Sequence, residues 1–330
     1  MTSAPVRLGF IGYGIMGERL LRAALNHDPA VLTVAGVWDP SAQAMARLQG
    51  DLPQVKQHAS SDAVIAASDC LYIASPPASH LAYARAAFAK GLAVFCEKPL
   101  AVDIADADAF VAEAQKSKAR GGINFPFASS FAVDQLREWM AEGVTGDVQR
   151  IDIEIGFAAW PRPWQVDAVN WLDARAQGGF TREVGSHFLF LARRLFGPLS
   201  LQSHSIAYPE AGKSERSIAA ALTAGSLPVS LSGVVGETDK PDHNIFRISG
   251  PNGAIRLRDW SIAEKQEKDG SWREAPDALP NEKMRPLVLK RQLDKVAALT
   301  RGAGEESGQD LAKVSEAAEV QRVVETILKG

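Results

Sequence analysis

The feature that most constrains this chain is a glycine cluster near its start, Gly12-Tyr13-Gly14-Ile15-Met16-Gly17. It follows the apolar run Val6–Ile11 and precedes Glu18–Leu25, which has helical composition. Between a strand and a helix, a GxGxxG has a physical reading. Gly12 permits a tight turn, Gly14 lets backbone approach a pyrophosphate, and Gly17 lets the helix pack closely on the strand. The helix N-terminus then faces the phosphates. Residues 12–17 are accordingly the expected dinucleotide cradle.

The pattern that follows supports this reading. Further strands are expected over Leu32–Trp38, Asp69–Ala74, Leu92–Cys96 and Gly121–Phe125. Helices are expected over Ser41–Leu48 with Ser41 as N-cap, and over Ser61–Ala67, Ser79–Lys90 and Asp103–Ser117. Strands alternating with helices imply βαβ units and a doubly wound parallel sheet, a Rossmann-type α/β domain over residues 1–123. Ligands on such sheets lie at the carboxyl ends of the strands. Gly12, Asp39, Ser75 and Glu97-Lys98 all fall at such ends. Asp39 is placed to accept hydrogen bonds from ribose hydroxyls and to repel a 2′-phosphate, so NAD(H) is preferred over NADP(H). Ser75, Pro76, His80 and Asn124 are further candidate cofactor contacts. Glu97-Lys98-Pro99 presents an amine where a strand meets a loop, with an acid directly before it and a proline that restricts it.

After Asn124 the pattern changes. A helix is expected over Val133–Glu142, and Val148–Phe157 alternates like a strand with one covered face. Trp160–Trp171 reads as a loop, and Gly178-Gly179 precedes a helix over Arg182–Leu195. A run of antiparallel strands then leads to a hairpin around Asp269-Gly270. Closing helices span Leu287–Thr300 and Asp310–Leu328, joined by a Gly- and Glu-rich connector over 301–308. Residues 124–330 thus form an α+β domain with a large open, mostly antiparallel sheet. Glu183 and His187, four apart on a helix, share a face. An imidazole there relays a proton, and a carboxylate orients it or the substrate. Trp160, Arg162 and Arg182 flank them as candidate contacts to an anionic or highly hydroxylated substrate, because arginine binds carboxylates through paired hydrogen bonds.

Composition narrows the partners. A net charge of −3 speaks against nucleic acid. No apolar run approaches the ~18–20 residues that span a bilayer. No basic-then-apolar signal precedes Val6, and the two cysteines, Cys70 and Cys96, sit in apolar strands, which together indicate the cytoplasm. The six histidines form no close pair and no Cys-x-x-Cys occurs, so no metal is expected.

The chain resembles the Gfo/Idh/MocA (glucose–fructose oxidoreductase/inositol dehydrogenase) family of nicotinamide-dependent oxidoreductases. The resemblance is carried by Gly12–Gly17, by Ala74-Ser75-Pro76-Pro77 with His80, and by Cys96-Glu97-Lys98-Pro99-Leu100. Gly178-Gly179 with Glu183 and His187, and Phe246–Leu257, extend it. It implies a Rossmann domain, a second domain whose open sheet mediates a homodimer or homotetramer, and hydride transfer between nicotinamide and a CH–OH or C=O carbon. By the same resemblance Lys98 handles the proton and His187 is the active-site histidine. The family often has aspartate where this chain has Glu183. The substrate is expected to be a sugar, cyclitol or related polyhydroxylated or carboxylated small molecule. Two other readings are a dinucleotide-binding sensor without turnover, and a reductase of an aromatic dihydrodiol or cyclic imine.

Overall fold

The computed structural model describes residues 4–303 and 310–329. Met1–Ser3, before the first strand, and residues 304–308 of the expected connector lie outside the described residues. The chain divides into two compact units, Met1–Ser129 with Pro286–Ala318, and Ser130–Arg285 with Glu319–Gly330.

The elements in chain order begin with β1 (Val6–Ile11), α1 (Ile15–Leu25), β2 (Leu32–Trp38), α2 (Ala42–Asp51) and α3 (Ser61–Ala67). They continue with β3 (Cys70–Ile73), α4 (His80–Ala89), β4 (Ala93–Cys96), α5 (Ile104–Lys116) and β5 (Gly121–Ile123). Next come α6 (Phe131–Ala141), β6 (Arg150–Phe157), α7 (Val169–Leu172), α8 (Ser186–Phe196), β7 (Leu199–Ala207), β8 (Ser217–Ala224) and β9 (Leu227–Val235). The chain closes with β10 (His243–Gly250), β11 (Gly253–Arg258), β12 (Ile262–Gln266), β13 (Trp272–Glu274), α9 (Asn281–Thr300), β14 (Ala312–Lys313) and α10 (Val314–Lys329).

In the first unit the sheet order is β14-β5-β4-β3-β1-β2. The neighbouring strands run parallel except β14, which is antiparallel to β5. Every residue of β3 and β4 is buried, as a sheet covered on both faces requires. From β1 the chain goes to β2 on one side and then crosses to β3 on the other. That leaves a crevice at the carboxyl ends of β1 and β3, where doubly wound sheets take their ligands. The core joins Leu8 and Phe10 of β1 and Leu20 and Leu21 of α1 to Leu293, Val296 and Ala297 of α9. The Ser41 hydroxyl caps α2 by accepting from Ala44 N at 3.2 Å. Helix α1 starts at Ile15 with Gly14 as its N-cap, so it reaches into the glycine cluster, three residues before the composition predicts.

The second unit's sheet runs β13-β12-β11-β10-β6-β9-β8-β7. It is antiparallel throughout except that β6 and β9 pair in parallel. The long excursion through α8, β7 and β8 allows that alignment, which a tight hairpin could not. Helix α6 packs on β11 and β12, and α8 on β7 and β8. The expected regular helix over Arg182–Leu195 is broken: Thr181–Gly185 forms a π-turn that leads into α8. Exposed Arg150 and Glu154 belong to an ion-pair ladder on the sheet, in which Arg150 meets Asp152 and Arg247 meets both Asp152 and Glu154. Among the described residues, no helix is long and apolar enough to cross a membrane and no cluster of His, Cys, Asp or Glu could hold a metal.

Candidate active site

At Gly12 φ is +101°, and a Cβ would stand 2.6 Å from the carbonyl carbon of Ala74. A side chain here would collide with the end of β3, so the turn needs glycine. Gly14 is the opposite case. A Cβ there meets nothing within 4 Å, so the N-terminus of α1 opens onto free space. That space and the exposed N–H groups of a helix start fit a pyrophosphate. Ile15 is exposed at the same lip. Met16 accepts from Arg19 through its sulfur at 3.4 Å.

Asp39, at the end of β2, lies against this loop. Its Oδ2 accepts from Tyr13 N and its Oδ1 from Ser41 N, each at 2.7 Å. Tyr13 itself is buried, and the Arg47 guanidinium lies 4.9 Å from its ring centroid and donates to its carbonyl oxygen. The carboxylate that would hold a ribose is thus fixed by backbone, with a guanidinium folded onto the same loop.

Ser75 follows β3 and shares a hydrogen bond with Ser79 at 2.7 Å, while Pro76 beside it is exposed. His80 is almost fully buried and bridges two loops: Nε2 lies 2.7 Å from Ser75 O and Nδ1 2.9 Å from Pro99 O. Two carbonyls favour the imidazolium, but burial opposes it more strongly and holds the His80 pKa below the ordinary histidine value. The neutral ring therefore donates to one carbonyl only. The folded state binds this proton less readily than the unfolded chain. The stability His80 contributes is complete above about pH 6.5 and is lost as pH falls through that value toward the lower folded pKa. Urea melts of the wild type and of His80→Asn between about pH 7.5 and 5.5 should show the steeper loss in the wild type. Parallel losses would remove the histidine from this role.

The Glu97 carboxylate turns inward. Its Oε1 accepts from the Tyr72 hydroxyl and, at 2.5 Å, from Asn124 Nδ2. Asn124 Oδ1 in turn accepts from Gln292 Nε2 at 2.6 Å. Tyr72 is gripped by Phe10 and Phe95, each 5.5 Å away between ring centroids. Burial, with the Glu97 carboxylate, pushes the Tyr72 pKa well above its usual range, so the phenol stays a donor. Lys98, half-buried, follows directly on this anchored residue, and its bond to Pro99 is cis. The Cys70 thiol is pushed up to about 12 by burial and Cys96 is raised well above its usual value, so neither is a thiolate near neutrality.

In the second unit, Gly179 has φ +102° and a Cβ there would stand 2.2 Å from the Glu215 carboxylate. That carboxylate accepts from Thr181 N and Oγ1, both at 2.7 Å, and pins the start of the π-turn. His187, 7% exposed, lies one residue into α8 with its ring 5.4 Å from that of Trp260. The Trp260 indole donates to Asp242 Oδ2 at 3.2 Å, and Arg162 Nη1 donates to the same oxygen at 2.8 Å. Arg162 also meets Gln165 at 2.9 Å and Glu183 at 3.8 Å, and its guanidinium lies 5.6 Å from the Trp160 ring and 4.7 Å from that of Trp164. Glu183, Arg162 and His187 are therefore joined through Asp242 and Trp260. Arg182 stands on a different partner, Glu325, which it grips at 2.6 and 2.8 Å, and it also donates to Gly178 O. Trp160 is buried and donates to Leu172 O at 3.3 Å.

Sequence reasoning did not single out Tyr72, Gln292, Asp242 or Trp260 as site residues. Tyr72 sits in a uniformly buried strand, and Gln292 is 168 residues from Asn124. Trp260 and Asp242 carry no local signal either, since the expected turn in this stretch is at Asp269-Gly270 and the observed one is at Asp259-Trp260.

The first unit has a Rossmann-type fold, a parallel sheet covered by helices. Over residues 6–125 the chain matches the GFO_IDH_MocA model, described as an oxidoreductase family with an NAD-binding Rossmann fold. It is 32% identical over 111 residues to a UDP-N-acetylglucosamine 3-dehydrogenase of Acidithiobacillus ferrooxidans, covering 34% of each chain. It is 28% identical over 197 residues to an inositol 2-dehydrogenase of Rhizobium meliloti, covering 58% of this chain and 55% of the relative. These matches thus span about a third and about half of the relatives' own lengths. An inositol dehydrogenase homolog from Azotobacter vinelandii, solved with NAD+, shares the fold with a TM-score of 0.81 at 16% identity, over 99% of this chain and 95% of that one.

Proposed function

We propose that this protein is an NAD(H)-dependent oxidoreductase acting on a CH–OH or C=O carbon of a sugar, cyclitol or related polyhydroxylated molecule. One observation carries the reading: the open Gly14 corner, the backbone-held Asp39 and the anchored Glu97-Lys98 all lie at carboxyl ends of the same parallel sheet. The Gly12–Gly17 turn and Asp39 would hold the dinucleotide, whose nicotinamide would supply the hydride acceptor or donor. In the oxidation direction the substrate carbon gives up its hydride, the C–O bond becomes a carbonyl, and the hydroxyl proton passes to the Lys98 amine. Glu97 fixes the strand end from which Lys98 projects. His187 assists by hydrogen-bonding the reacting oxygen. Arg162 and Arg182 already hold carboxylates of this chain, which supports a substrate read mainly through its hydroxyls. Association into a homodimer or homotetramer through the open sheet of the second unit, and a cytoplasmic location, belong to the same reading.

The test pairs cofactor with substrate class. The protein is titrated with NADH and NADPH by fluorescence, then assayed with NAD+ against myo-inositol, aldoses, sugar acids and UDP-N-acetylglucosamine. NADH should bind at least about tenfold tighter than NADPH, and Asp39→Ser should close most of that gap. Equal affinity in the wild type would end the proposed preference. Nucleotide binding without turnover of any polyol would favour a sensor.

A further inference from the structure

The turn between β11 and β12 holds two consecutive non-glycine residues in left-handed backbone, Asp259 at φ +47° and Trp260 at φ +74°. Glycine or asparagine would suit such a turn, and a tryptophan does not. The conformation persists because the neighbouring strand β10 holds it. Asp259 N donates to Asn244 O at 2.9 Å, and Asp259 Oδ1 accepts from Asn244 N at 3.1 Å and lies 3.0 Å from His243 Nδ1. Strain that is held in place this firmly marks a position whose side chain matters. Here the side chain is an indole, and it is aimed at α8. Its ring stands edge-on to His187, with centroids 5.4 Å apart at 73°, and tilts against the fully buried Phe188 at 5.3 Å and 46°.

The indole is also tethered at its polar end. Asp242 Oδ2 takes both the Trp260 Nε1–H and Arg162 Nη1–H, while Asp242 Oδ1 accepts from Asn244 Nδ2. One carboxylate therefore fixes the indole, the guanidinium and the start of β10 together. A ring held at both its backbone and its N–H is a rigid wall, and an edge-to-face contact fixes the plane of the ring it meets.

We propose that Trp260 is a positioning residue for His187, setting its imidazole plane, and that Asp242 sets Trp260. The proposal rests on the reading of His187 given under Proposed function, and the experiment separates the two. Trp260→Phe, Trp260→Ala, Asp242→Asn, His187→Ala and the double variant His187→Ala/Trp260→Ala are assayed with NAD+ and myo-inositol. All are also examined by histidine-selective NMR, with the His187 resonance identified by its loss in His187→Ala. Asp242→Asn is informative because an amide has one acceptor oxygen and cannot serve donors on both sides.

Trp260→Ala should lower kcat roughly tenfold with little change in KM, and should cost nothing further once His187 is alanine. Trp260→Phe, which keeps a ring but loses the tether, should fall between wild type and Trp260→Ala. In Asp242→Asn the His187 resonance should shift or broaden, although Asp242 acts on it only through the indole. An equal loss from Trp260→Ala in both backgrounds, or a loss confined to KM, overturns the proposal, as does an unmoved His187 resonance in Asp242→Asn. Unchanged turnover in His187→Ala defeats the assigned role of His187 instead, and the resonance still decides whether Trp260 positions it. If myo-inositol is not oxidised or Trp260→Ala does not fold, the resonance in Trp260→Phe and Asp242→Asn decides alone.

Discussion

Lys98→Ala should lower kcat by about three orders of magnitude while leaving the Kd for NADH within about threefold, because a positioned acid–base group contributes roughly 10²–10⁴ and the proposed dinucleotide contacts lie elsewhere. The proposed holding groups are the glycine turn and Asp39, both at the ends of other strands. Lys98→Arg sharpens the test. Arginine keeps the charge but does not release a proton near neutrality. If Lys98 moves a proton, arginine should rescue almost nothing; if it only supplies positive charge, a large part of the activity should return. Steady-state assays with the polyol that turns over fastest, beside an NADH fluorescence titration, give both numbers. Residual turnover above about a tenth of wild type in Lys98→Ala would remove the lysine from the proton path.

Glu97→Ala should be the more damaging change to the fold. It leaves the Tyr72 hydroxyl and the Asn124 amide without their shared acceptor in a buried place. Each stranded donor costs about 1–3 kcal/mol, so the sum is about 2–6 kcal/mol, against a total stability of only about 5–15 kcal/mol. At about 2–4 °C per kcal/mol, the melting transition should fall by about 4–24 °C. Glu97→Gln keeps an oxygen in nearly the same place for both donors and should cost about 1–2 kcal/mol. Calorimetry on the two variants distinguishes the accounts. Equal melting temperatures would mean that these hydrogen bonds do not anchor the segment carrying Lys98.

What was legible in the sequence depended on how local its cause was. Strands β1 and β2 fall where the apolar runs place them, because each run is bounded by residues that stop it, Gly12 after Ile11 and Asp39-Pro40 after Trp38. The Ser41 cap is equally local. The parallel pairing of β6 with β9 was not legible, because a strand alternates in the same way whichever direction its neighbour runs. Neither was β14, two residues long and without a period. The π-turn adds one residue to a helical turn and leaves no mark on composition. The arginines show the limit most clearly. Their charge says that each will find a carboxylate, but not whose. Arg162 finds Asp242, 80 residues away, and Arg182 finds Glu325, 143 residues away. Only the fold shows that these carboxylates belong to the chain itself.

The part of α9 that carries Leu293, Val296 and Ala297 has a consequence for how this chain is made. These side chains belong to the same core as β1 and α1, and Gln292 completes the hydrogen bonds behind Glu97. The first unit is thus interrupted: it begins at the first strand and cannot close until the segment Pro286–Ala318 has been synthesised. During translation its half-built sheet must wait, with apolar surface uncovered, while the whole stretch Ser130–Arg285 emerges first. A fragment ending at Ser129 would carry the glycine turn and Asp39 yet lack a wall of its own core. Cutting the chain once cannot excise the first unit whole and alone.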